Sequence, residues 1–329
     1  MKKALFMASI GFLSAGRAIE LMPAAVIAQP PIVAQQPPAT DNSMPIRTSQ
    51  PPQIQIINLG AEPRQQMRLK PVLNVKQTTL MTLKMGMKIS ASGQSSQEIK
   101  VPTSVVTMET EATKIDANGD IHYQFSYTKA DVTSDSTNAP ASALESMRSA
   151  IKKLVGLKGS FIMDSRGFSK GGDFIVPEGA DNNFKQIIRQ MSQSIEQLSV
   201  QLPAEAVGKG AKWRLDFPLN SNGINVNNIA TYELMSFQEG VAVLNIGLEQ
   251  QAKPQSVNSP QLPAGSNINL QSLASQGRGE STIRLDKLMP VRSAVSMNSN
   301  SEMSVKSAGS PQESTIKTQL TMEITLDSQ

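Results

Sequence analysis

The chain has 329 residues, with 31 Lys+Arg, 27 Asp+Glu, a single His, no Cys and a formal charge of +4. That length is enough to bury a sizeable core. The lack of Cys excludes disulfides, thiol nucleophiles and thiolate metal sites. The small charge, with no Lys/Arg stripe interleaved with aromatics, argues against a nucleic-acid partner.

The first element is a signal peptide over residues 1–28. Lys2 and Lys3 form a basic start, and Ala4 to Ala15 is an apolar run too short to span a bilayer. Two small-x-small exits follow, Ser14-Ala15-Gly16 and Val26-Ile27-Ala28, of which the second, just before Gln29-Pro30, is preferred. Cleavage there deletes Lys2, Lys3, Arg17 and Glu20 and leaves a charge of +2. No later stretch reaches the roughly 20 apolar residues of a membrane helix, so the mature chain is expected in the periplasm or secreted, with no transmembrane span. Residues 29–66 are rich in Pro and Gln. Such a segment buries too little apolar area to offset the entropy of ordering, and it reads as a disordered spacer.

A single β-rich domain is expected over residues 67–329. Leu73, Val75, Met81, Leu83, Met85, Met87 and Ile89 share one parity, with Gln77 and Thr79 between them, as on one face of a long strand. Residues 104–115 lead into Asn118-Gly119, and Ile121, Tyr123, Phe125 and Tyr127 alternate beyond it. Asn-Gly between two alternating runs predicts a hairpin, because both positions favour positive φ. Leu144, Met147, Ile151, Leu154 and Val155 fall at helical spacing over 142–156. Residues 159–176 read as a hairpin turning at Ser165-Arg166-Gly167. Phe184, Ile187, Ile188, Met191, Ile195, Leu198 and Leu202 predict a second helix over 182–202, capped by Asp181 or Asn182 and stopped by Pro203. Strands follow at 212–219, 226–237 and 241–249. A loop rich in Pro, Ser, Asn and Gln spans 251–277, and strands resume at 281–288, 291–297 and 315–326. The expected class is α+β: a mainly antiparallel curved sheet, an open or half-closed barrel, covered by two mid-chain helices.

The motifs Asp116-x-Asn-Gly-Asp120, Leu157-Lys158-Gly159-x-Phe161-x-x-Asp164-x-x-Gly167, and Leu202-Pro203 followed by Val207-Gly208-x-Gly210-x-x-Trp213 carry a resemblance. Over residues 68 to 250 the chain resembles an uncharacterised family of exported bacterial proteins, a domain of unknown function. The resemblance implies export and a β-rich domain and brings no activity. In layout the chain is also similar to periplasmic lipoprotein-carrier half-barrels, which hold acyl chains beneath helices.

No catalytic constellation emerges. His122 lies on the polar face of its strand, and no G-x-S-x-G elbow accompanies it. Asp116, Asn118 and Asp120 have the look of a calcium loop without the required bidentate acid, which leaves a plain hairpin turn. Gly208-Lys209-Gly210 precedes a strand and lacks the G-K-[ST] ending of a phosphate loop. It reads as a turn that swings Trp213 into the core. Glu109/Glu111 and Asp164/Asp173 pair only by closeness in sequence. Methionine is abundant at 17 residues. Thioethers on one strand face can hold Cu(I), but with no His or Cys nearby a flexible apolar lining is the preferred reading. No cofactor and no metal are expected. The sequence thus points to an exported non-catalytic binding protein. It would hold an apolar small molecule, lipid or acyl chain between sheet and helices, lined by Met81, Leu83, Met85, Met87, Ile188, Met191 and Ile195. The alternative is an envelope structural or protein-interaction module whose partner is an envelope protein.

Overall fold

The computed structural model describes residues 43–46, 53–91, 96–133, 141–176, 188, 200–221, 224–257, 267–306 and 313–329. The expected signal peptide, residues 1–28, lies outside them. The strands are β1 (Ser43–Ile46), β2 (Ile54–Asn58), β3 (Lys76–Ala91), β4 (Gln97–Ile115), β5 (Ile121–Thr133), β6 (Lys158–Met163), β7 (Ser169–Ile175), β8 (Lys212–Ser221), β9 (Ile224–Gln238), β10 (Val241–Ala252), β11 (Gln255–Ser256), β12 (Asn267–Arg284), β13 (Arg292–Lys306) and β14 (Glu313–Ser328). All join one antiparallel sheet in the order β1-β7-β6-β5-β4-β3-β14-β13-β12-β10-β9-β8-β2, with β11 beside β12. The sheet is open: β1 and β2 are its two edges.

Those edges are neighbours in sequence, and this forces the sheet to curl. Only eight residue steps separate Ile46 on one edge from Ile54 on the other, a reach of at most about 29 Å even when fully extended. Laid flat, the twelve strand-to-strand steps between the edges would measure about 58 Å. The wings must therefore turn toward each other. Bulges help: the register shifts in β3–β4, β4–β5, β9–β10 and β12–β13, and each shift adds local twist.

The main core lies between the wings. Phe125, Phe161 and Phe174 come from one wing, Trp213, Tyr232 and Leu244 from the other, and all belong to one buried cluster. The phenylalanines pack edge-on or tilted at 5.4 to 5.6 Å, and Trp213 stacks on Tyr232 at 5.6 Å. One end of the half-barrel is closed by the chain that precedes β3. Its backbone pairs successively with Val207, with Ser165 in the β6–β7 turn, with Leu285 in the β12–β13 turn, and with Ala112 of β4. Met67 (0% exposed) and Leu69 plug the gap from this crossing.

Three expectations need correction. The spacer does not run to residue 66: Ser43–Ile46 and Ile54–Asn58 are sheet strands, and Gln65 pairs with Val207. Short alternating runs, weak alone, take their order from the edges they cap. The loop 251–277 is likewise mostly strand, since β10 runs to Ala252 and β12 begins at Asn267. Its inward positions include Ser275 and Gly277, so the period-two apolar signal fades there. Among the described residues there is one α-helix, α1 (Ala141–Lys152), where two helices were expected. The segment 182–202 falls outside the described residues, except for Ile188, which is helical and buried, and 200–202.

Several local readings hold. The β4–β5 turn places Gly119 at φ 86° with Asp116 and Asp120 backbones paired. The β6–β7 turn forms around Asp164, whose Oδ1 accepts from the backbone N–H groups of Arg166 and Phe168. The Gly208 turn delivers Trp213, fully buried, with its indole N–H donating to the Gln201 carbonyl at 2.9 Å.

Candidate functional site

Beyond the filled core, the central strands β10, β12, β13, β14 and β3 continue as a long sheet with two unlike faces. Register fixes which residues share a face. One row runs Ile246, Gly279, Val295, Ile324, Leu83, each directly opposite the next. The next row runs Leu248, Gly277, Met297, Met322, Met85, and the one after it Gln250, Ser275, Ser299, Leu320, Met87. On the core side lies the row Leu244, Ser281, Ser293, Leu326, Met81. Because period two puts alternate residues on opposite faces, all four rows face inward with the core residue Leu244.

No charged side chain stands on this inner face among the described residues of these five strands. The rows between them face outward and carry Glu249, Arg278, Glu280, Glu323, Lys84 and Lys88, all exposed. Burial pushes the Tyr127 and Tyr232 phenols up to about 12, so these inward tyrosines stay neutral as well. Ile246, Leu248, Val295, Ile324, Leu320, Met85 and Met87 are only half-buried. The inner face is therefore apolar, uncharged and incompletely covered. An open cavity of about 600 Å³ also lies against the sheet, but Asn245, Arg278, Ala294, Ser296, Glu323 and Thr325 of the outward rows supply most of its lining, so it opens on the charged outer face and not on this inner one.

Polar groups interrupt the apolar rows sparingly. Gln250 donates to Asn228 at 2.7 Å, and Ser275 to Ser299 at 2.8 Å. The Gln250 Oε1 and Ser281 Oγ atoms are buried with no hydrogen-bond partner. Such orphaned groups forfeit the free energy of a hydrogen bond unless something supplies one.

The residues expected to line a ligand are dispersed over this face. Met81 packs against the main core, Leu83 and Met85 belong with Met297, Met322 and Ile324 to a separate cluster, and Ile188 is inside the main core. Met87 is half-buried on the same face of β3. Met191 and Ile195 lie outside the described residues. The cavity is built from β10, β12, β13 and β14, opens on the opposite face and is lined by none of these residues. Sequence parity had flagged β3 alone. The β13 and β14 residues were legible as alternating strands, but their place beside β3 depends on pairings more than 200 residues apart.

The remaining candidates resolve into structural pairs. His122 Nε2 sits 2.7 Å from Asp116 Oδ2, and Lys114 reaches the other oxygen at 2.6 Å. The Lys114 and His122 contacts hold the Asp116 carboxyl below the usual aspartate range. Lys170 and Asn118 engage Asp120 in the same turn. These carboxylates are already answered by cations of the chain. Among the described residues, no group of three or more His, Cys, Asp or Glu is placed to hold a metal ion. Glu109 pairs with Lys76 at 3.2 Å.

No protein-family model matches the chain, and no curated protein matches it. Among solved structures, the chain is similar to the crystal structure of Pseudomonas aeruginosa OccK11 (OpdR) at 8% identity, covering 81% of this chain and 100% of that one with a TM-score of 0.21. A likeness of that size carries no argument. No helix among the described residues is long and apolar enough to cross a membrane. The charged outward rows of the central strands are the reverse of the apolar outer band that a transmembrane barrel presents to lipid.

Proposed function

We propose that the chain is an exported, non-catalytic binding protein of the periplasm or extracellular space that holds an apolar or acyl chain along the inner face of its curved sheet. The observation that carries this reading is the uncharged inner face itself. Across five strands, about 19 Å of sheet, it offers half-buried Ile, Leu, Val and Met side chains while the opposite face is charged. Covering such a surface stabilises by roughly 25 cal/mol per Å² of apolar area removed from water. An acyl chain gains about 0.8 kcal/mol for each methylene it buries there. The basic, apolar N-terminus and the motif resemblance to exported bacterial proteins support the compartment.

The experiment is titration with a fluorescent fatty acid, comparing the wild type with Ile324→Glu. Ile324 is half-buried, so the fold has room for the change, while a carboxylate on the inner face opposes an apolar guest. The expected result is at least a tenfold loss of affinity, about 1.4 kcal/mol. Equal affinity would remove the inner face as the site.

One observation favours a second reading, an envelope interaction module. Val72 (54% exposed), Leu73 and Val75 are all exposed on the crossing segment at the closed end. Co-purification of an envelope protein that is lost in Val72→Asp, with no acyl-probe binding, would decide for it.

A further inference from the structure

We infer that the inner face carries a thioether site for a soft monovalent cation, Cu(I), built from Met85, Met322 and Met297. The three methionines occupy one register row on three adjacent strands: Met297 of β13 is opposite Met322 of β14, and Met322 is opposite Met85 of β3. They are not merely aligned, because Met297 and Met322 share a buried cluster against which Met85 packs. At about 4.8 Å per strand step, the outer two backbones stand about 10 Å apart on either side of Met322. Each methionine has three rotatable bonds and an unbranched chain, so the outer thioethers can lean in over the middle one on the concave side of the sheet.

The chemistry selects the ion. Three neutral thioethers are soft donors, which suit Cu(I) and offer nothing to Mg²⁺, Ca²⁺ or Zn²⁺. No cysteine exists in the chain to compete. The sole histidine, His122, is engaged with Asp116 in the β4–β5 turn. The bound ion keeps its single positive charge on a face without a carboxylate, and burying a bare charge is costly. Two features moderate that cost. Cu(I) disperses its charge onto polarizable sulfur, and Met85 is only half-buried, which leaves the site open to water on the β3 side. Met87, two residues further along the same face, stands at that opening.

The site shares the inner face proposed for an acyl chain, and leucine isolates the role of the sulfur. Methionine to leucine conserves volume and apolarity, usually at little cost in stability, but removes the sulfur. The experiment is an anaerobic competition titration of Cu(I) between the full chain and a chromophoric Cu(I) chelator, for the wild type and the triple variant Met85→Leu, Met297→Leu, Met322→Leu. Fold is followed by circular dichroism. Wild type is expected to take one Cu(I). The triple variant is expected to bind Cu(I) roughly 100-fold more weakly, the most that loss of even a supporting partner of a metal typically costs. Unchanged Cu(I) affinity in the triple variant, or no uptake by the wild type, overturns the site. Should the triple variant not fold, Met322→Leu alone decides, since it removes the central donor: a loss of affinity supports the site and wild-type affinity overturns it.

Discussion

Gln77 occupies an inward position of β3 where the alternating pattern calls for an apolar residue. It is 3% exposed. Its Oε1 accepts from the backbone N–H groups of Leu288 and Met289, and its Nε2 donates to the Met289 carbonyl at 2.9 Å. One side chain thus satisfies the irregular backbone between β12 and β13, which a sheet ladder cannot reach. Its neighbour Thr79 works with Ser328, whose hydroxyl donates to the Pro290 carbonyl. Gln77→Leu leaves buried backbone groups unpaired and should cost about 2–3 kcal/mol, read as a lower urea midpoint with unchanged slope. A midpoint equal to wild type would show that water replaces the amide.

The β4–β5 turn supplies the residue-scale dependence on pH. Hydrogen bonding by Lys114, then His122, holds the Asp116 carboxyl below its ordinary range, and Lys170 does the same for Asp120. A lowered folded-state value means that these groups bind fewer protons folded than unfolded. Their contribution is therefore present above the unfolded aspartate value of about 3.9 and is lost as pH falls through the lower folded value. Carboxyl NMR should place the Asp116 midpoint below 3.9, and Lys114→Ala should return it toward that value. A midpoint at or above the ordinary value in the wild type would contradict the pairing. His122→Ala should leave acyl-probe binding unchanged, because the ring lies in this turn, away from the inner face.

At the scale of elements, the turn 207–211 shows how a local sequence feature serves a distant edge. Gly208 donates its N–H to the Leu59 carbonyl at 2.9 Å, and a Cβ on it would strike the Ala61 carbonyl oxygen. The missing side chain lets the chain after β2 lie flat against the turn before β8. Gly208→Ala should cost about 3 kcal/mol and weaken protection of the β2 amides in hydrogen exchange ahead of those in β4 and β5. Uniform loss across all strands would mean that the edge is not a separate unit.

Sequence reasoning was strongest where an element carries its own signal. Asn118-Gly119 marks its hairpin, although Gly119 alone of the two takes positive φ, and the 3.6-residue spacing of Leu144, Met147 and Ile151 marks α1. It was weakest where order is supplied from elsewhere. Ile54 and Ile56 form a strand because β8 offers an edge, and their Pro/Gln-rich flanks disguise it. Residues 267–277 pair with β13, and from Leu273 with β10 as well, although Ser275 and Gly277 break the apolar run on their inner face. The same limit applies to the site. Met85 was visible on β3, but its neighbours Met322 and Met297 follow from cross-strand register, which no local periodicity contains.

For the whole molecule, the decisive property is the division between a filled end and an unfilled one. The wings meet around Phe174, Trp213 and Leu244, all fully buried, and the crossing segment seals that end. The central strands extend past this core with one face charged and the other apolar. Smaller clusters around Leu270 and around Met322 hold the extension together. The rigid end thus positions a surface whose own burial is incomplete. Native mass spectrometry of the mature protein from its own envelope fraction, followed by lipid extraction, tests this most directly. The account predicts a bound apolar molecule, released on denaturation and displaced by fatty acid. A clean mass for the empty chain, with no uptake of fatty acid afterwards, would contradict it.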